Sequence, residues 1–282
     1  MRRIQIMTAA VALAATAALA ADYKTEEKEA IHRTLSGASA LDVDTIGGSL
    51  EVTGDAGNTI RVDGERVIRA RHKAELDRAK KEVTLDINEK GGTAQLYENG
   101  PFRDHNRTSD NHGFHENNDR HYDVAYNLTI KVPKSIALRL HTINGSIRAG
   151  DSSGKFDVKT INGRITMTGI SGSGSADALN GETTITFREN PRADSFFKSF
   201  NGKVDVTFQS GLSADLRLKT FNGGAYTDFD GSALPASSTG SAERRNGKFV
   251  YRSRGEQGLR VGTGGAELKF ETFNGDIRIH RQ

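Results

Sequence analysis

The chain has 282 residues, 35% of them hydrophobic, with 31 glycines, 4 prolines, no cysteine and no tryptophan. The lack of cysteine excludes disulfides, thiol catalysis and thiolate metal sites. A net charge of +3, from 39 basic and 36 acidic residues spread along the chain, excludes the concentrated basic footprint of a nucleic-acid-binding protein.

Residues 1–20 have the pattern of a signal peptide. Two arginines precede an alanine-rich apolar run, and Ala18-Leu19-Ala20 supplies the small residues that a signal peptidase accepts. A membrane anchor is the alternative, but the run is short and its alanines favour insertion weakly. We therefore expect cleavage after Ala20, no transmembrane segment in the mature chain, and a periplasmic, secreted or cell-surface location.

The first part of the mature chain mixes strands with one helix. Residues 21–40 are a lead-in, whose charged segment 25–33 could form a short helix. A first β repeat begins near Leu41, and strands are expected at 59–67 and 83–88. Between them, residues 73–82 contain good helix formers with a narrow apolar stripe, which predicts a short surface helix.

Residues 99–123 are polar and nearly free of aliphatic side chains, which indicates a long exposed loop. Imidazole and carboxylate groups in such a loop could bind zinc, copper or nickel. Their spacing matches no established ligand pattern, so a solvated loop is the favoured interpretation and weak metal binding the alternative. The four histidines of this loop are His105, His112, His115 and His121.

An Asn-Gly dipeptide recurs through the rest of the chain, usually behind an apolar residue and, one position earlier, a small one. The steps between the asparagines are 18, 18, 21, 21 and 52 residues. Apolar residues alternate with polar ones on both sides of each dipeptide, so each unit is two short strands joined at an Asn-Gly corner. Tolerance of positive φ would explain both residue types there. The corners are at Asn144, Asn162, Asn180, Asn201, Asn222 and Asn274.

One corner type per repeat distinguishes a stacked coil from a series of hairpins. Hairpins would alternate two kinds of turn, whereas here a Gly/Ser cluster separates successive Asn-Gly corners. The fold is therefore predicted as all-β: a single-domain β-helix or β-solenoid over residues 41–282. A meander or sandwich is the alternative. Residues 231–265 interrupt the register as a loop or projecting arm, and the C-terminal repeat is expected at an edge of the stack.

Three segments follow one another in a recognisable order: the Val132-Pro133 break, the run from Leu138 to Ile147, and the closing Thr272 to Ile279. With these segments the chain resembles a bacterial family of unknown function that carries the label "putative adhesin". The resemblance covers roughly residues 41–279. What it implies is an exported β-solenoid; the family contributes no catalytic residues.

The residue before each corner asparagine is apolar. Simple alternation would direct it outward and make an apolar partner surface. The favoured interpretation is instead that the chain bends at the corner and tucks the side chain into a second small core. The residues are Ile143, Ile161, Leu179, Phe200, Phe221 and Phe273, together with Ile46, which precedes Gly47 at the equivalent position of the first repeat.

The sequence contains no nucleophile elbow, paired-carboxylate pattern or phosphate-binding loop. No catalytic, cofactor-binding or metal residue is therefore assigned. We expect a non-enzymatic, adhesin-like binding or scaffolding protein of the cell envelope, whose partner is an envelope protein or polysaccharide. One alternative is a periplasmic metal-binding protein that uses the histidine loop, and another is a carbohydrate-active β-helix enzyme.

Overall fold

A computed structural model describes residues 23–103, 121–235, 241–245, 248–252 and 257–282. The expected signal peptide at 1–20 lies outside these ranges, and so do His105, His112 and His115. No helix in the described ranges is long and apolar enough to cross a membrane.

The described residues form one helix and twenty-three strands. The helix is α1 (Lys73–Glu82), where it was predicted. The strands are β1 (Thr25–Ser36), β2 (Ala40–Gly47), β3 (Leu50–Asp55), β4 (Thr59–Ala70), β5 (Thr84–Lys90), β6 (Thr93–Asn99), β7 (Tyr122–Pro133), β8 (Ala137–Asn144), β9 (Ile147–Gly150), β10 (Phe156–Asn162), β11 (Ile165–Ile170), β12 (Gly174–Asn180), β13 (Thr183–Phe187), β14 (Ser195–Asn201), β15 (Val204–Phe208), β16 (Ala214–Asn222), β17 (Ala225–Thr227), β18 (Gly231–Leu234), β19 (Ser241–Arg245), β20 (Lys248–Arg252), β21 (Gln257–Val261), β22 (Ala266–Asn274) and β23 (Ile277–Arg281).

The strands make two large sheets, which confirms the all-β prediction. The twelve-stranded sheet has the order β1-β4-β7-β3-β9-β11-β13-β15-β23-β17-β20-β19, and the eleven-stranded sheet has the order β18-β21-β16-β22-β14-β12-β10-β8-β2-β6-β5. Each Asn-Gly repeat contributes the strand before its corner to the eleven-stranded sheet and the strand after it to the twelve-stranded sheet.

Equivalent strands of neighbouring repeats pair in parallel and in register. In the eleven-stranded sheet, Asn162 is opposite Asn144 on one side and Asn180 on the other. Antiparallel strands flank this parallel region, for example β1 and β4 in one sheet and β21 beside β16 in the other. The segment 25–33, for which a short helix was considered, lies in β1, a strand of twelve residues.

The prediction that the C-terminal repeat forms an edge is wrong. Strand β22 lies between β14 and β16, and β23 lies between β15 and β17, so the last repeat is inserted into the stack. The interruption at 231–265, predicted as a loop or arm, contains strands. It connects the repeat of β16 and β17 to the last repeat, whose strand β22 lies between β14 and β16. An aromatic contact supports the insertion, because Phe270 packs against Phe197 at 5.1 Å between ring centroids.

The core lies between the two sheets and is filled by the inward positions of each strand. Phe187, Phe197, Phe208 and Phe270 are almost fully buried and make an aromatic cluster in its centre. Burying each such ring contributes about 1.5–3 kcal/mol. Because alternate residues face inward, the other positions of the same strands make the two outer faces.

Candidate binding face beside the Asn-Gly corners

The six corner asparagines form one hydrogen-bonded ladder along the eleven-stranded sheet. In five of the six, Nδ2 donates to the Oδ1 of the asparagine one strand along, at distances of 2.7–2.9 Å, and Asn144 at the end of the ladder accepts from Asn162. Asn180 is typical, since it donates to Asn162 and accepts from Asn201. Such ladders require identical residues in register at the strand spacing of about 4.8 Å. The repeated asparagine is therefore a cross-strand contact as well as a turn residue.

The glycines of the corners are required by close backbone approach. A Cβ on Gly163 would lie 2.0 Å from the carbonyl oxygen of Gly145, and a Cβ on Gly181 would lie 1.8 Å from that of Gly163. Positive φ, the explanation suggested by the sequence, does not account for them. No corner asparagine has positive φ, and among the corner glycines only Gly275 does, at 156°.

We expect replacement of Asn180 by alanine to lower the free energy of unfolding by about 1–2 kcal/mol, because it removes two hydrogen bonds from the ladder. Urea unfolding followed by circular dichroism measures the change. Asn88→Ala, at an exposed position of β5, is the matched control and should stay within about 0.5 kcal/mol of the parent chain. Equal effects of the two substitutions would contradict a stabilising ladder.

The residues before the asparagines form an exposed apolar stripe, defined here as Phe221, Phe273, Phe200, Leu179 and Ile161. Their exposed fractions lie between 38% and 60%. The expectation that these side chains are tucked inward is wrong for these five, because each strand stays extended up to its asparagine and the alternation continues. It holds for Ile46, which is buried, and Ile143 is partly buried against the core.

The three phenylalanines of the stripe are stacked face to face. Phe273 lies between Phe200 at 4.8 Å and Phe221 at 4.7 Å, with interplanar angles of 3° and 5°. These distances equal the strand spacing, so the rings follow the register of the sheet. Both faces of Phe273 are covered by the neighbouring rings. The three stacked rings form one continuous apolar surface.

A row of alternating charges runs beside the stripe, two residues earlier on each strand. Glu271 accepts a hydrogen bond from Lys219 at 3.2 Å. Burial raises the pKa of Asp177, and Lys198 and Lys159 on the adjacent strands oppose this shift. In spatial order the row is Lys219, Glu271, Lys198, Asp177 and Lys159.

Two depressions mark the same outer face. One of about 310 Å³ lies between the phenylalanines and the charged row. The other, of about 720 Å³, lies at the opposite end of the strands and includes Ser173, Gly174, Ser175 and Phe196 in its walls. It exists because β12 carries small side chains at this end, next to the larger Phe196 of β14.

Of the four loop histidines, only His121 lies in the described residues, where it is exposed just before β7. The other three lie outside them. Within the described ranges, no group of three or more histidine, aspartate or glutamate side chains is arranged to hold a metal ion. The metal-binding alternative for the loop at 99–123 therefore stays a prediction, since most of that loop lies outside the described residues.

A buried charged cluster, which the sequence did not indicate, lies at the first corner. The Oε2 atom of Glu98 accepts the backbone N–H of Ile46 at 2.6 Å, where the pairing of β2 with β6 has ended. Arg103 is buried beside it, but its guanidinium donates to Asp44 at 2.7 Å. Burial raises the pKa of Glu98 to about 7, against the backbone hydrogen bonds and the charge of Arg103, which lower it.

No protein-family model matches this chain, and no curated protein matches it. Solved structures similar to it include a "putative cell adhesion protein" from Clostridium sporogenes (TM-score 0.44, 11% identity, 92% of this chain and 100% of that chain). Two others are a "putative adhesin" from Bacteroides fragilis (0.37, 11%, 93% and 99%) and a "putative lipid binding protein" from Parabacteroides distasonis (0.25, 7%, 92% and 97%). All three TM-scores are below 0.5, so these names describe those proteins alone.

Proposed function

We propose that this chain is an exported, non-catalytic binding or scaffolding protein of the bacterial envelope, adhesin-like, whose repeats form a β-solenoid. The observation that carries the proposal is the apolar stripe. Its five large apolar side chains lie on neighbouring strands and are exposed on a regular sheet, where solvent-facing positions are ordinarily polar. Contiguous exposed apolar surface of this kind marks interaction sites.

The stripe is built for contact with a partner rather than for chemistry. The charged row beside it supplies both signs at regular spacing, which gives orientation and specificity to an apolar contact. The sheet holds both features in fixed register, so little conformational entropy is lost on binding. The expected sites of action are the periplasm and the cell surface, to which the signal-peptide pattern of residues 1–20 would direct the chain.

The test is capture of partners from the native envelope fraction by the mature chain, residues 21–282. A triple variant, Phe200→Ser with Phe221→Ser and Phe273→Ser, should lose at least about tenfold of the captured partner, since central aromatic anchors dominate interface energy. The matched control carries Thr129→Ser, Thr166→Ser and Thr207→Ser on the outer face of the twelve-stranded sheet, and should capture as the parent does. Equal capture by both variants would show that the stripe is not the binding surface.

A further inference from the structure

The binding face is defined here as the outward side chains of six neighbouring strands, in the order β16, β22, β14, β12, β10 and β8. Its charged row alternates in sign so that adjacent strands attract each other within the chain. The same alternation has a consequence between chains. If a second copy of the row is rotated by 180° about an axis between two neighbouring strands, each positive charge lies opposite a negative charge of the other copy.

We propose that this face binds a second copy of the chain about a twofold axis that runs parallel to the strands, between β12 and β14. The inference rests on the proposed role of the face as a binding surface and names its partner. Such an axis places β14 opposite β12 of the second copy, and β22 opposite β10. Lys198 then faces Asp177 of the other chain, and Glu271 faces Lys159, each pair occurring twice by symmetry.

The apolar stripe matches itself under the same operation. Phe200 faces Leu179 of the second copy, and Phe273 faces Ile161, so each exposed ring meets an aliphatic side chain. Two sheets packed in this way lie about 10 Å apart, the distance at which such side chains interdigitate.

The third row of the face adds complementary shape. Phe196 of β14 projects opposite Ser175 of the second copy, where the small residues of β12 leave the depression of about 720 Å³. On the neighbouring strands, Lys269 faces Asp157 of the second copy. The large side chain of Phe196 thus lies opposite the depression, and Lys269 lies opposite a carboxylate.

The contacts at the outermost strands of the binding face limit the affinity of the dimer. Arg217 falls opposite Arg139 of the second copy, although each has a carboxylate of its own chain, at 3.3 Å and 3.2 Å. Because sheets are twisted, two packed sheets move apart at their outermost strands, which separates these arginines. Six strands by five residues cover about 29 by 17 Å, or roughly 500 Å² of each partner, which is smaller than a standard stable interface and typical of weak complexes. We therefore expect a dimer with micromolar affinity.

Sedimentation velocity over a range of micromolar concentrations tests the charge pairing. Lys198→Asp places two carboxylates opposite each other at both sides of the axis, and should weaken the dimer at least about tenfold. Asp177→Lys should do the same. The double variant restores both pairs, and should return to within about threefold of the parent chain. Arg148→Asp, on the exposed outer face of β9, is the charge-reversal control and should have no effect.

Cysteine cross-linking tests the geometry and does not depend on the stability of the charge variants, because the parent chain contains no cysteine. A mixture of two single variants, Asp177→Cys and Lys198→Cys, should form a mixed cross-linked dimer with a short thiol-reactive linker. Lys219→Cys alone should not cross-link, since the twofold axis places its two copies about five strand spacings apart, roughly 24 Å.

The outcomes separate this inference from the proposed function. If the parent chain stays monomeric at all concentrations, or if Lys219→Cys cross-links to itself, the twofold dimer is wrong. Capture of an envelope partner that depends on the three phenylalanines would then leave the proposed function standing. A dimer with the expected charge and cross-linking pattern establishes the inference, whether or not a further envelope partner is found.

Discussion

Replacing Gly181 by alanine should lower the free energy of unfolding by roughly 4–5 kcal/mol or prevent folding, the range in which single substitutions become exceptional. The added Cβ would lie 1.8 Å from the carbonyl oxygen of Gly163 and 2.6 Å from its carbon. Both atoms belong to the backbone, so no side-chain rotation can relieve the clash. The two repeats would have to separate, which breaks the parallel pairing of β10 with β12.

The effect should spread beyond the substituted corner, because Gly181 also contacts the repeat that follows it. Its carbonyl oxygen accepts the hydroxyl of Ser199 at 2.7 Å and would lie 2.2 Å from a Cβ on Gly202. A displaced Gly181 therefore disturbs the repeat that follows as well as the one that precedes it. We expect loss of cooperativity in unfolding, visible as a broadened urea transition.

Two glycines outside the corners provide controls. A Cβ on Gly150 would lie 3.7 Å from the carbonyl oxygen of Thr168, and one on Gly211 would meet no atom within 4 Å outside its chain neighbours. Alanine at either position should change stability by no more than about 1 kcal/mol. A change of similar size for Gly181→Ala would contradict the close stacking of the corners.

The Asn-Gly period predicted much of the fold because it reports local alternation and repetition. The corners, the strands on either side of them and the helix at 73–82 all follow from residue spacing. The position of the last repeat does not, because the order of repeats along the chain carries no record of their order in space. Strand β22 pairs with both β14 and β16, and only the three-dimensional stack shows this.

The binding face was only partly predictable for a related reason. The apolar residue before each asparagine was visible in the sequence, but its direction depends on where the strand ends. Strand β16 runs through to its asparagine, so Phe221 faces solvent. Ile46 is buried although its strand also extends to Gly47, so strand length alone does not decide the direction. The charged row can be identified in the sequence once the register of the paired strands is known, since Lys198 and Glu271 occupy the same position in two repeats. Glu98 gave no signal, because nothing local links it to the corner 52 residues earlier that it contacts.

Replacing Glu98 by glutamine should change how stability depends on pH. The pKa of Glu98 is raised to about 7, above its ordinary value of 4.5. A carboxyl group whose pKa is raised by folding contributes stability that is complete below pH 4.5 and is lost as the pH rises through 7. The loss between those limits is about 3 kcal/mol, at about 1.4 kcal/mol for each pH unit.

The cause is burial. Glu98 is fully buried, and within the described residues the guanidinium of Arg103 is hydrogen-bonded to Asp44 rather than to this carboxylate. Glutamine keeps an oxygen for the backbone N–H of Ile46 and remains neutral at every pH. Asp157, whose pKa is lowered by hydrogen bonds from His141 and Ser175 despite its partial burial, loses its contribution only in strong acid, outside this window.

The measurement is the free energy of unfolding in urea from pH 4.5 to pH 8, for the parent chain and for Glu98→Gln. The difference between the two curves removes every titration that they share. It should move by about 3 kcal/mol in favour of the glutamine variant as the pH rises. Glu51→Gln, at an exposed carboxyl on β3, is the control and should give a curve parallel to that of the parent. If Glu98→Gln also runs parallel, the pKa of Glu98 in the folded chain equals its ordinary value, and the cost of burying the carboxylate must be offset by a stronger interaction with Arg103 than the hydrogen bonds indicate.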